Sequence, residues 1–90
     1  MKSSVDYSKL LSLLENQKWP RTYLFKFILP FEAESLNQLK TLFDDDSKIT
    51  HRVSSKSTYI SVSARQKMHS AQAVIEIYKQ AEEIKDIISL

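Results

Sequence analysis

Hydrophobic positions recur along this chain with two different periods, and the switches between them divide it into elements. Tyr7, Leu10, Leu11 and Leu14 stand at i, i+3, i+4 and i+7, so the spacing predicts an amphipathic helix over 6–15. Ser3, Ser4 and Asp6 are candidate N-caps, because a short side-chain oxygen there accepts an orphan backbone N–H. Pro20 ends this leader: its ring cannot continue a helix, and it drives Trp19 to extended backbone. A strand follows over 22–29, with Tyr23, Phe25, Phe27 and Leu29 on one side and Leu24, Lys26 and Ile28 on the other. The side without a charge is the expected core side. Leu36, Leu39, Leu42 and Phe43 then predict a helix over 33–43, with Glu32 and Glu34 near its positive end.

Residues 48–54 and 58–65 alternate strictly, as the two arms of a hairpin do. With Ser55-Lys56 as a two-residue turn, Arg52 faces Tyr59, His51 faces Ile60 and Ile49 faces Val62. Ile49, His51, Val53, Ile60, Val62 and Ala64 then share the inner face, and Thr50, Arg52, Tyr59, Ser61 and Ser63 the outer one. A slip by one residue would destroy this agreement. Val74, Ile77, Tyr78 and Ala81 predict a helix over 71–82 with Ser70 as its N-cap, and 84–90 reads as a closing strand. The expected core is Phe25, Phe27, Leu36, Leu39, Phe43, Val62, Val74, Ile77 and Ile88. After the leader the order is β-α-β-β-α-β. The predicted fold is therefore α+β, a ferredoxin-like sandwich with an antiparallel sheet in the order 4-1-3-2, both main helices on one side, and an extra N-terminal helix. Residues 1–19 form the leader and linker, and 20–90 the domain.

Composition narrows the chemistry. Ninety residues suit one domain, and 42% hydrophobic with 27% charged residues is an ordinary globular balance. A net charge of +2 is too small a bias to imply nucleic acid. Without Cys there are no disulfides and no thiolate zinc sites, which agrees with a reducing compartment. Without Gly there is no phosphate-cradling P-loop or dinucleotide fingerprint. No stretch approaches the ~20 apolar residues of a membrane span, and the N-terminus carries no apolar leader core, so a cytoplasmic protein without a membrane partner is expected.

The segment Trp19-Pro20-Arg21-Thr22-Tyr23-Leu24-Phe25-Lys26-Phe27-Ile28-Leu29-Pro30 resembles the opening of the YbeD-like family, a bacterial domain of unknown function. Arg52-Val53-Ser54-Ser55-Lys56-Ser57-Thr58-Tyr59-Ile60-Ser61-Val62 is similar to that family's hairpin, and 84–90 to its terminal strand. The likeness runs in order from Trp19 onwards. The family commonly has Gly after the turn Lys, where this chain has Ser57, a departure that bears on the turn rather than the fold. The resemblance implies a ferredoxin-like, ACT-like fold in a small bacterial cytoplasmic protein. It supplies no reaction. ACT-like domains often bind small effectors or regulatory partners, which is an analogy of fold alone.

Candidate sites are few. His51, between Ile49 and Val53, is expected to be a partly buried core residue, and His69 a solvated loop residue; neither has the converging donors a metal needs. Asp44-Asp45-Asp46 fails as a calcium loop, because Ile49 and Ser55 stand where an EF-hand has Gly and Glu. Ser61, Ser63, His51 and Asp86 offer no spacing that tests a nucleophile and its base. The outer face has one ring, Tyr59, where RNA-recognition sheets stack bases on several, so no nucleic-acid partner is expected. The expectation is no enzyme, no cofactor and no metal. What remains is the outer sheet face, with Leu24, Ile28 and Ile87 beside Lys26, Arg52 and Tyr59. The leader helix folding over it is one expectation. The other is a surface of Lys26, Arg52, Lys56, Tyr59 and Ser61 that contacts a protein partner or a second copy, with Arg52 pairing to a carboxylate. An anionic metabolite held between protomers near Lys26, Arg52 and Lys56 is the alternative.

Overall fold

A computed structural model describes residues 6–90; residues 1–5, with the candidate caps Ser3 and Ser4 and the stretch read for a leader core, lie outside it. The elements are α1 (Ser8–Glu15), β1 (Arg21–Pro30), α2 (Ala33–Lys40), β2 (Lys48–Val53), β3 (Tyr59–Met68), α3 (Ala71–Ala81) and β4 (Ile88–Ser89). The strands form one sheet with neighbours β2-β3-β1-β4, every pair antiparallel.

Period-two alternation does what it predicts in the central strands. Phe25, Phe27 and Leu29 of β1 and Ile60, Val62 and Ala64 of β3 are buried on the side that meets α2 and α3, where Leu39 and Val74 close over them. Each of the Phe, Leu, Ile and Val side chains among them contributes roughly 1.5–3 kcal/mol by leaving water. The rings of Phe43 and Tyr78 lie 5.3 and 5.4 Å from that of Phe25, in the tilted arrangements aromatic quadrupoles favour. Ser70 caps α3 as its sequence predicts: its backbone is extended and its Oγ accepts the N–H of Ala73 at 3.1 Å. Asp6 serves the start of α1 by accepting the N–H of Ser8 at 2.9 Å, and that bond, followed by the Ser8 hydroxyl, holds its carboxyl below the usual range.

Several expectations are corrected. The helix predicted to reach Phe43 stops at Lys40. Leu42 and Phe43 then donate to the carbonyls three residues back, a tightened last turn that still buries Phe43. The hairpin register is displaced by two residues: Val53 faces Ile60, Arg52 faces Ser61, His51 faces Val62 and Ile49 faces Ala64. A displacement of two keeps every side chain on its face, so the inner and outer sets survive. The connection is a longer loop, in which Ser57 donates to the Ser54 carbonyl at 2.9 Å and itself has φ of 57°. His51 shares the inner side with Val62 yet is exposed, because β2 is the edge strand and the helices pack over β1 and β3. Leu36 and Ile77 are half-buried at the core margin.

The closing strand is shorter than 84–90. Ile84 is buried, Asp86 adopts φ of 58°, and only Ile88–Ser89 pairs with Phe27 and Ile28 before the Leu90 N–H donates to the Lys26 carbonyl at 2.9 Å. Residues 82–86 form turns and a bend rather than strand, and the Ile87 N–H donates to the Ile84 carbonyl, so the alternation read over 84–90 does not apply before Ile88. Ile87 therefore packs against the core, and Ile88, expected inside, is 54% exposed on the outer face.

Candidate functional site

The described part of the leader does not cover the outer face of the sheet. Helix α1 packs against α3 on the opposite side. The Tyr7 ring stacks 6.3 Å from that of Tyr78, the Tyr7 hydroxyl donates to Glu82, and Leu14 is buried within the core. The indole N–H of Trp19 donates to the Leu14 carbonyl at 2.9 Å and fixes how the chain turns from α1 into β1. The hydroxyls of Tyr23 and Tyr78 meet at 3.2 Å beside this contact. Burial first, then the bonds to Glu82 and Tyr23 respectively, push the Tyr7 and Tyr78 phenols above their usual range. The Tyr7 hydroxyl and ring fasten the leader to α3, while the Tyr23–Tyr78 contact ties β1 to the same helix.

The uncovered face is built in rows by the strand register. Ser61 lies at its centre, with Arg52 of β2 on one side and Ile28 of β1 on the other; Ile88 of β4 continues that row. Tyr59, two residues along β3 and opposite Pro30, is 49% exposed. Lys26 stands one row further on, opposite Ser63. Four of the five expected surface residues, Lys26, Arg52, Tyr59 and Ser61, thus share one face and are exposed, whereas Lys56 is exposed in the hairpin loop beyond the strand ends. Lys26 and Arg52 stand on either side of β3, with about 10 Å between their strands.

Sequence reasoning stopped the third strand at Arg65 and missed the far end of this face. Strand β3 continues to Met68 with the same alternation, which adds Lys67 beside Arg65, and Lys48 of β2 lies directly opposite Arg65. Carrying the outward set Tyr59, Ser61 and Ser63 on along β3 would have found Arg65 and Lys67, and stepping back by two from Thr50 would have found Lys48. Arg21, Lys26, Lys48, Arg52, Arg65 and Lys67 all lie in strands, and no Asp or Glu does. A net charge of +2 conceals this separation, because the acids stand in the helices and loops.

Other candidate chemistry is dispersed. Ser61 and Ser63 project from the outer face, His51 is on the inner side of the β2 edge, and Asp86 precedes β4 at the opposite edge, so these four do not meet. Asp44, Asp45 and Asp46 are exposed in the turn after α2, where the Asp44 N–H donates to Gln66 at 2.7 Å. His69 is exposed, and no group of three or more His, Cys, Asp or Glu residues among the described ones could hold a metal ion. No buried side-chain nitrogen or oxygen among them lacks a hydrogen-bond partner. No helix among the described residues is long and apolar enough to cross a membrane. No family model, no curated protein and no solved structure matches this chain.

Proposed function

We propose that this chain is a ferredoxin-like, YbeD-like binding or regulatory module of the bacterial cytoplasm, without catalytic activity, whose outer sheet face contacts a protein partner or a second copy. The neighbour list β2-β3-β1-β4, counted from the β4 edge, is 4-1-3-2, and it supports the ferredoxin-like reading. The positive φ of Ser57 supports the resemblance too, since it falls where the family has Gly. The observation that carries the function is the sheet face itself. It is left open although the chain has a spare amphipathic helix, and Leu24, Tyr59 and Ile88 are 38, 49 and 54% exposed on it beside Arg52 and Lys26. Apolar and aromatic groups ringed by charge are how contact surfaces are composed.

A photo-crosslinking residue in place of Ser61 tests this against one in place of Glu76, exposed on α3. Adducts formed in cells at position 61, absent at position 76 and diminished by Arg52→Ala with Tyr59→Ala, are expected. Equal adducts at both positions, or none at 61, would refute the reading.

A further inference from the structure

The outer face has two unlike ends. At one, Tyr59, Ile28 and Ile88 surround Arg52 and Ser61. At the other, Lys48 and Arg65 are directly opposed across the β2–β3 ladder, Lys67 is two residues beyond Arg65, and Lys26 is diagonal to it on β1. Like charges placed directly opposite destabilise a sheet, and no strand residue offsets them. Asp44 and Asp46 line the same groove as Lys48, Arg65 and Lys67, so three cations against two carboxylates leave it a net positive charge. From Tyr59 to Lys67 the face runs about 26 Å along β3.

We infer that this face receives an acidic segment of another protein, its carboxylates over Lys48, Arg65 and Lys67 and its apolar residues over Ile28, Ile88 and Tyr59. The inference rests on the contact surface proposed above and names the chemistry of what docks there. A second copy laid face to face would bring no strand carboxylate to these cations, so it lacks the complementary charge that an acidic segment supplies. A single nucleic-acid strand would find phosphate partners but no stacking platform, because the central outward positions are Lys26, Ile28, Ser61 and Ser63.

Three probes test it on the full chain by isotope-edited NMR titration: a short Glu/Leu peptide, its Gln/Leu counterpart, and oligo-dT of matched length. The Glu/Leu peptide is expected to shift amides of β1, β2 and β3 that flank the outer face and to weaken at least about tenfold between about 50 and about 200 mM salt. Lys48→Gln with Arg65→Gln and Lys67→Gln should weaken it by a similar factor with the thermal midpoint preserved, whereas Lys40→Gln with Lys79→Gln on the helices should not. Should the triple variant fold poorly, the wild-type shift map and salt slope decide alone. Equal binding of the Gln/Leu peptide, tighter binding of oligo-dT, shifts confined to the helices, or no binding would each overturn the inference. If position 61 still crosslinks a protein while the Glu/Leu peptide fails, the contact surface stands and its acidic partner falls; if both fail, both are wrong.

Discussion

Ser54 holds Tyr59 by both of its polar groups: its N–H donates to the Tyr59 carbonyl at 2.8 Å, and its Oγ accepts the Tyr59 N–H at 3.1 Å. The same Oγ accepts the N–H of Thr58 at 3.2 Å. Ser54 thereby closes the loop of 55–58 and sets the register of β2 against β3. It does the work that a Gly-containing tight turn would do elsewhere. The outward placement of Arg52 and Tyr59 follows from this closure.

The loop has one conformational cost, at Ser57. Its φ of 57° is in the left-handed region, where a Cβ approaches the following carbonyl oxygen. Ser57→Gly is expected to raise stability by about 0.5–1 kcal/mol, the relief of strain exceeding the entropy that Gly adds to the unfolded chain. Ser55→Gly, at a position without positive φ, should be neutral or destabilising. Urea midpoints of the three proteins check this; equal gains from both substitutions would remove strain as the cause.

The docking of the leader predicts a contrast between adjacent leucines. Leu14 is 3% exposed in the core and Leu13 is 62% exposed. Leu14→Ala should cost about 2–4 kcal/mol by leaving a cavity, and Leu13→Ala less than about 0.5. Thermal unfolding measures both. A leader lying on the outer face would give neither this pairing nor the Tyr7–Tyr78 stacking.

Two phenols at that contact, Tyr7 of the leader and Tyr78 of α3, predict an alkaline limit. Folding keeps Tyr7 and Tyr78 protonated at pH values where free phenols, with a pKa of about 10, have begun to ionise. Above about pH 10 the unfolded chain therefore binds fewer protons than the folded one, and stability falls as pH rises; below that the contribution is fully present. Tyr78→Phe should make the decline between about pH 9.5 and 11.5 shallower. Urea denaturation across that range reads it, and an unchanged slope would show that Tyr78 does not govern the limit.

How much of this was legible follows from what each pattern encodes. Alternation in β1 and β3 records which side chains are buried and placed Lys26, Tyr59 and Ser61 on the outer face, and alternation in β2 placed Arg52 there. It carries no information about displacement by two residues, so the hairpin partners were misread while their faces were not. Ile87 and Ile88 exchanged roles because residues 82–86 turn before the strand begins, and the apolar spacing over 84–90 does not record where extended backbone starts. The stripe of Tyr7, Leu10, Leu11 and Leu14 declares an apolar face without naming what it meets, and α3 rather than the sheet was its partner. His51 alternates like a core residue, but burial on an edge strand depends on how far the helices reach.

The opposition of Lys48 and Arg65 predicts that the outer face is maintained at the expense of stability. Replacing Arg65 by Glu puts a carboxylate between Lys48, diagonal Lys26 and Lys67, three cations that outnumber Asp44 and Asp46 of the same groove. Cross-strand pairs of this kind are worth roughly 0.2–1 kcal/mol, so Arg65→Glu should raise the unfolding free energy by that amount. Salt gives the sign independently. Screening relieves repulsion in the native sequence, whose thermal midpoint should rise between about 20 and about 150 mM NaCl, and weakens attraction in the variant, whose midpoint should rise less or fall. Because the same substitution should weaken the Glu/Leu peptide, a gain in stability with a loss of binding would mark Arg65 as a residue kept for contact. A loss of stability at low salt would mean that the neighbouring cations do not repel at this site.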